Sequence, residues 1–199
     1  TQFTATIDPE WIAAEAIRLI NIPSVTMDEA AACVCFGQQL RDLGLDVDIR
    51  EVTPGRNNLY ACIPGTGDGP GLIFNGHLDT IPIGDHAPPY REGDRLYGRG
   101  STDMKGGMAA MLGAARALLQ SDVQLQGDVW LTAVVGHEEV EANKDGPKAL
   151  IEDINTGRIG GDRIIIVEGR DALWVMSMGS MVFTIHLDPK PTINLTLTE

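Results

Sequence analysis

Three nearly continuous apolar runs set the architecture of this chain: Leu72-Ile-Phe74, Val129-Trp-Leu-Thr-Ala-Val-Val135 and Ile164-Ile-Ile-Val167. Runs of this kind are typical of strands that are covered on both faces, as in a sheet between layers of helices. A helix is predicted before each later run, over about Met104–Leu119 and Pro147–Ile154, and the methionines of the first are expected in the core. The alternation predicts an α/β fold with a mostly parallel or mixed sheet covered by helices on both faces.

The flanking segments continue this alternation of helix and strand. Asp8-Pro9-Glu10 combines the N-cap, the first-turn proline and the early acidic residue of a helix start. A second helix is predicted over about Glu29–Leu43, followed by strands over Leu45–Arg50 and Leu59–Ile63. Near the end of the chain, the pattern of Trp174–Leu187 predicts two short strands.

The composition is that of a globular protein with a strong acidic excess. Among 199 residues, 15 are basic and 28 are acidic, the net charge is −13, and 43% are hydrophobic. This balance disfavours a nucleic-acid or anionic-membrane partner, since both attract basic patches, and no apolar run is long enough to span a bilayer. The three cysteines (Cys33, Cys35 and Cys62), without a secretion signal, favour buried, inert, reduced thiols and a cytoplasmic location.

Acidic and histidine side chains follow each of the three apolar runs. Ligands of open α/β sheets bind beyond the carboxyl ends of the strands, so these positions are candidates for a shared site. A further acidic residue lies in a glycine-rich segment that opens the predicted helix after the first run. The candidates are His77, Asp79, Asp103, Glu138, Glu139 and Glu168.

A cluster of this composition favours a metal ion. Two carboxylates about 4 Å apart repel by ~4 kcal/mol at an effective dielectric near 20, so the cluster needs protons or cations. Imidazole with carboxylates, and no thiolate, suits zinc, manganese or cobalt. Taken singly, each acid has a plainer interpretation as a solvated loop residue, and Asp103 could equally be a helix N-cap. The role of His137 is open between support of the site and a simple strand terminus, whereas His86 and His186 are expected to be ordinary histidines.

Four motifs carry a resemblance to a known family. They are Asn75-Gly-His-Leu-Asp-Thr80, Gly98-Arg-Gly-Ser-Thr-Asp-Met-Lys-Gly-Gly107, the pair Glu138-Glu139, and Glu168 after an apolar strand. Over about residues 8–187 the chain resembles the dinuclear-zinc metallopeptidase family of aminoacylase, acetylornithine deacetylase, succinyl-diaminopimelate desuccinylase and glutamate carboxypeptidase. The resemblance implies a zinc-peptidase-like sheet and the hydrolysis of amide bonds in N-acyl amino acids or small peptides.

The resemblance also implies a metal-ligand set. His77 and Glu168 would bind one metal ion, Asp103 would bridge two ions, and Glu139 would bind the second. The expected cofactor is Zn²⁺, as one or two ions, with Co²⁺ or Mn²⁺ as possible substitutes.

Two further residues receive catalytic roles from the same resemblance. Asp79 would support His77, while Glu138 would act as general base, taking a proton from water and passing it to the leaving amine. The expected substrate is a small or dipeptide-like molecule. His137 and Arg170 depart from the family pattern, and their roles stay open.

Family members are about twice this long, which leads us to expect an incomplete chain. Residues 1–176 would be the N-terminal part of the catalytic metal-binding domain, and residues 177–199 would begin a truncated lid, or dimerisation, domain. A histidine of the second metal site would then be missing, so we expect one tightly bound ion at most, little hydrolase activity, and a homodimer in a longer form.

Two other functions remain open at this point. The first is a non-catalytic metal-binding or regulatory relative of the same fold. The second is a phosphate-binding α/β protein, which would hold its ligand on glycine-rich turns and would not depend on His77 for metal.

Overall fold

The computed structural model describes residues 7–85 and 87–169. In chain order its elements are α1 (Pro9–Ile20), α2 (Ala30–Asp42), β1 (Asp48–Thr53), β2 (Arg56–Ile63), β3 (Leu72–His77), β4 (Tyr90–Glu92), β5 (Arg95–Tyr97), α3 (Lys105–Leu119), β6 (Val129–Val134), α4 (Asp145–Asn155) and β7 (Arg163–Ile166), with a short 3-10 turn at Val140–Ala142. Two helices and five strands come first, and only from β5 onward do strand and helix alternate along the chain.

The main sheet has the strand order β1-β2-β6-β3-β7 and is mixed. Strand β3 runs parallel to both β6 and β7, whereas β1, β2 and β6 pair antiparallel. The β3–β6 register sets His77 opposite Val134, so both strands end at the same edge of the sheet. The predicted α/β fold with a mixed sheet is therefore confirmed, and its parallel part lies where the acidic motifs occur.

Local sequence accounts for the start of α1 and for the core under α3. The Asp8 carboxylate accepts the backbone N–H of Trp11 at 3.1 Å, which caps the helix as predicted. The methionines expected in the core are there, because Met104, Met108 and Met111 are at most 1% exposed. They contribute to the apolar cluster between α3 and the sheet.

The third apolar run is less covered than its composition predicts. Burial on both faces describes β3 and β6 well, but Ile164, Ile165 and Ile166 of β7 are 48%, 40% and 50% exposed. In the described part of the chain β7 lies at the edge of the sheet and pairs with β3 on one side. The prediction of two covered faces is therefore wrong for this strand.

Several smaller differences concern the rest of the chain. Strand β1 begins at Asp48 rather than Leu45, and the β4–β5 hairpin was not predicted. All three cysteines are free thiols, two of them buried and Cys62 half-buried. His86, Arg170, His186, the strands expected over Trp174–Leu187 and the domain boundary at residue 176 lie outside the described residues.

Within the described ranges, the helices are too short or too polar for any of them to cross a membrane.

Candidate functional site

The ends of β3 and β6 and the start of α3 bring three ligand-type side chains together. His77 ends β3, Glu138 follows β6, and Asp103 lies just before α3. One ligand atom from each falls within 4.8 Å of the other two. His77 Nε2 lies 3.0 Å from Asp103 Oδ1 and 3.3 Å from Glu138 Oε1.

The other ring nitrogen of His77 is held by the backbone. Nδ1 lies 2.8 Å from the backbone carbonyl oxygen of Asp79. Because a carbonyl oxygen only accepts, Nδ1 carries the hydrogen and donates it. In the neutral imidazole the lone pair is then on Nε2, the atom that faces Asp103 and Glu138.

Asp79 is fully buried and fully hydrogen-bonded. Its carboxylate accepts the backbone N–H of His137 at 2.9 Å, the N–H of Glu138 at 2.8 Å and the hydroxyl of Thr26 at 2.8 Å. Burial would raise the pKa of Asp79, but the contact with His77 and the two amides hold it well below its ordinary value. Asp79 therefore stays ionised and ties the end of β3 to the loop after β6.

The pKa shifts in the cluster show that its carboxylates favour a positive charge between them. Burial alone would lower the pKa of His77, but its contacts with the Asp103 and Asp79 carboxylates raise it to about 10. Burial and the charge of Asp103 raise the pKa of Glu138 to about 7. The hydrogen bond to His77 lowers the pKa of Asp103. A divalent cation would supply the missing positive charge, and the imidazole and carboxylate donors suit zinc-type ions.

The two remaining predicted ligands, Glu139 and Glu168, lie outside this group. Glu168 follows β7 and is exposed as a whole residue. Partial burial of its carboxyl group and the neighbouring charge of Asp103 raise its pKa. Glu139 is half-buried, and its backbone N–H donates to the Thr26 hydroxyl at 3.4 Å. Among the described residues, the 4.8 Å group contains Glu138 rather than Glu139 or Glu168.

His137 packs directly against His77. The two rings stack with their centroids 4.5 Å apart and an angle of 11° between their planes. Burial and the neighbouring charge of His77 lower the pKa of His137 to about 4. A neutral ring therefore covers one face of His77.

A small cavity opens beside the cluster. Its volume is about 190 Å³, and its walls include both Asp103 and Glu138. Ile81 and the glycine-rich segment from Gly98 to Thr102 form the rest of its lining. The cluster is thus accessible to a small molecule.

Comparison with known proteins places this site in a family. The sequence profile of Peptidase family M20/M25/M40 matches residues 73–193, which is more than half of the chain and includes all six predicted site residues. The chain belongs to Peptidase family M20/M25/M40. The family resemblance read from the four motifs is therefore confirmed.

Relatives in the M20/M25/M40 family carry several names. The chain is 40% identical over 141 residues to a succinyl-diaminopimelate desuccinylase of Gluconacetobacter diazotrophicus, covering 66% of this chain and 36% of that protein. It is 38% identical over 112 residues to an N-formyl-4-amino-5-aminomethyl-2-methylpyrimidine deformylase of Bacillus subtilis, covering 52% and 26%. The chain thus spans about a third of the length of the curated relatives it matches.

A solved structure shows the same fold. Aminopeptidase PepT from Bacillus cereus superposes with a TM-score of 0.68 at 26% identity, covering 82% of this chain and 44% of that one. The mixed sheet described above is therefore that of an M20/M25/M40 peptidase.

Three residues that support the site were missed by sequence reasoning, and all three precede the M20/M25/M40 match at residue 73. Thr26 binds Asp79 across 53 residues of sequence, and Glu29 forms a buried ion pair with Arg56. Each lies in a connection or at the start of a strand, where hydrophobic periodicity does not indicate which side chains face the interior. Their burial and their pairing are visible only in the structure, so the sequence offered no signal for them.

Proposed function

We propose that this chain is the metal-binding part of a hydrolase that cleaves amide bonds in N-acyl amino acids or small peptides. The observation that carries the proposal is the convergence of His77, Asp103 and Glu138 within 4.8 Å at one edge of the sheet. The names desuccinylase, deformylase and aminopeptidase among its relatives agree with attack on a carbonyl–nitrogen bond.

Four side chains would hold the metal. His77 Nε2, Asp103 and Glu168 suit one divalent ion, while Asp103 and Glu139 would contribute to a second. We propose zinc, with cobalt or manganese as functional substitutes, because the donors are imidazole and carboxylate. When bound, such an ion polarises the scissile carbonyl and lowers the pKa of water toward ~7.

Glu138 is suited to the proton transfers. A general base must lie within reach of the attacking water, and the Glu138 carboxylate lies 3.3 Å from His77 Nε2 and lines the cavity beside the cluster. In the proposed reaction its carboxylate takes a proton from the attacking water and delivers it to the leaving amine nitrogen. Asp79 keeps its charge and orients His77 and the loop that carries Glu138.

The setting of this activity is also part of the proposal. We propose a cytoplasmic location, a small or dipeptide-like substrate, and neither nucleic acid nor membrane as a partner, in keeping with the net charge of −13 and the free thiols. Residues 1–176 would belong to the catalytic domain and residues 177–199 to a lid, which in a longer form would supply a dimer contact.

Metal content and turnover test the proposal together. The chain is loaded with Zn²⁺, Co²⁺ or Mn²⁺ and assayed on N-succinyl, N-acetyl and N-formyl amino acids and on di- and tripeptides. We expect one tightly bound ion per chain, little turnover, and loss of that turnover by about 10²-fold or more in Glu138→Gln with the metal retained.

Other results of this experiment would contradict the proposal or favour the non-catalytic relative. A wild-type chain that binds no divalent ion, or a Glu138→Gln variant as active as wild type, overturns the proposal. A longer form of the chain that binds zinc and cleaves none of these substrates supports the non-catalytic relative instead.

A further inference from the structure

The connection between α1 and α2 lies against two loops of the site: the one that follows β3 and the one that follows β6. Val25 forms a parallel bridge with Thr80, and the backbone N–H of Thr80 donates to the Ser24 carbonyl at 2.8 Å. The Ser24 hydroxyl donates to the Leu78 carbonyl at 2.6 Å. This connection therefore packs along the segment that follows His77.

At its end the connection carries a buried ion pair. Arg56 donates through Nη2 to Glu29 Oε1 at 2.7 Å and through Nε to Oε2 at 2.9 Å. Glu29 is 0% exposed and Arg56 is 6% exposed. Such a two-pronged contact sets both the distance and the orientation of its partners.

The ion pair in turn supports the turn that precedes Glu138. Gly136 donates its backbone N–H to Glu29 Oε1 at 3.0 Å. Gly136 has φ +67, and a Cβ at this position would lie 2.6 Å from Arg56 Nη2. The turn thus rests directly on the guanidinium and the carboxylate.

Four consecutive backbone amides at this turn are held by side chains. Besides Gly136 on Glu29, the amides of His137 and Glu138 donate to the Asp79 carboxylate and that of Glu139 donates to the Thr26 hydroxyl. The loop from Gly136 to Glu139 therefore takes its shape from side chains of other segments.

We propose that the Glu29–Arg56 ion pair is a positioning device for the Gly136–Glu139 loop. It holds the backbone that carries the Glu138 and Glu139 carboxylates, without itself joining the His77–Asp103–Glu138 group. What the two carboxylates then do depends on the function proposed above, whereas the ordering of the loop does not.

Two variants of the pair and one control test this role. Glu29→Gln removes the charge that binds both Arg56 and Gly136, and Arg56→Lys keeps the positive charge but loses the guanidinium fork. The control, Asp153→Asn, also neutralises a buried acid with ion-pair partners. Asp153 is 4% exposed and binds Tyr60, Arg50 and Arg158, none of which contacts the loop's amides.

Amide hydrogen exchange of the folded chain is the main measurement. We expect exchange of the amides of residues 136–139 to become at least tenfold faster in Glu29→Gln, with the β3–β6 ladder amides unchanged. We expect Arg56→Lys to show a smaller change and Asp153→Asn none at this loop. Equal exchange at residues 136–139 in Glu29→Gln and wild type, or the same acceleration in Asp153→Asn, overturns the proposal. If Glu29→Gln does not fold, the comparison rests on Arg56→Lys.

Metal affinity and turnover separate this inference from the proposed function. Zn²⁺ titration of the chain should give a dissociation constant about tenfold higher in Glu29→Gln than in Asp153→Asn. Where hydrolysis is measurable, kcat should fall while KM changes less than threefold, because the proton-transfer group rather than the substrate contact is displaced. A wild-type chain that binds no divalent ion would overturn the proposed function, but the exchange of residues 136–139 would still decide the role of the ion pair.

Discussion

Asp79 binds His77 through its backbone carbonyl oxygen, which lies 2.8 Å from Nδ1, while the nearest carboxylate oxygen is 3.5 Å away. The carboxylate instead accepts the amides of His137 and Glu138. Asp79 thus has two separate tasks: its backbone sets the imidazole tautomer, and its side chain joins the β3 end to the loop after β6.

The first prediction concerns Asp79→Asn. An amide nitrogen in place of one oxygen would face an N–H or O–H donor, so one of the buried hydrogen bonds is lost. We expect the free energy of unfolding to fall by about 1–3 kcal/mol and zinc affinity to fall by about 10–100-fold. Denaturant unfolding and zinc titration measure the two effects.

Asp94→Asn is the matched control for this change, because Asp94 is exposed in the turn between β4 and β5. It should alter neither quantity. An Asp79→Asn variant with the stability and zinc affinity of Asp94→Asn would show that the buried carboxylate is dispensable.

Zinc should stabilise the wild-type fold through His77. A ligand that binds the native state alone raises the free energy of unfolding by about 2.7 kcal/mol at a concentration of 100 Kd. We expect a clear rise in Tm on adding zinc to wild type and a much smaller rise in His77→Ala. Thermal unfolding with and without EDTA provides the comparison, and an equal zinc-dependent shift in both proteins would place the metal elsewhere.

Parts of this site were predictable because they follow local rules. The β3–β6 register brings His77 beside Val134, so acids placed after parallel strands must meet at one edge. The Asp8 cap and the α3 methionines also follow from short-range sequence.

Other parts depend on contacts between distant segments. Glu29 meets Arg56 across 27 residues and Gly136 across 107, and neither pairing has a period or motif that marks it. The exposure of Ile164, Ile165 and Ile166 was missed for a related reason: an apolar run shows a preference for burial but does not show where in the sheet the strand lies.

A third prediction tests the close approach of α3 to the segment that follows β7. A Cβ at Gly107 would lie 1.7 Å from the backbone carbonyl oxygen of Val167, next to Glu168. Gly107→Ala must therefore move backbone, and we expect a loss of more than about 2 kcal/mol in the free energy of unfolding.

Gly160→Ala serves as the comparison, because a Cβ there meets Trp130 Nε1 at 3.9 Å, an ordinary contact. Its stability should stay within about 0.5 kcal/mol of wild type. Urea unfolding of the two variants decides the matter, and equal stabilities would mean that α3 and the Val167 backbone do not approach this closely.

The last prediction concerns the pH dependence of stability at Cys33. Burial raises the pKa of its thiol to about 12, while the thiol of the unfolded chain has a pKa of ~8.5. Between pH 9 and 12 the folded protein keeps this proton and the unfolded chain releases it. Stability should therefore fall as pH rises, by up to about 1.4 kcal/mol per pH unit from this one group.

Cys33→Ala removes that contribution, so its unfolding free energy should decline less steeply with pH than that of wild type. Cys62→Ala is the matched variant. Burial raises the pKa of Cys62 to about 11, so the contribution of Cys62 to the pH slope should end about one pH unit below that of Cys33. Guanidinium unfolding at pH 8, 9, 10, 11 and 12 under reducing conditions measures the slopes. If the Cys33 thiol had the same pKa in the folded and unfolded states, Cys33→Ala would shift the whole curve of unfolding free energy against pH. The slope of that curve would not change. Parallel curves for Cys33→Ala and wild type would therefore contradict the burial of this thiol beneath β2.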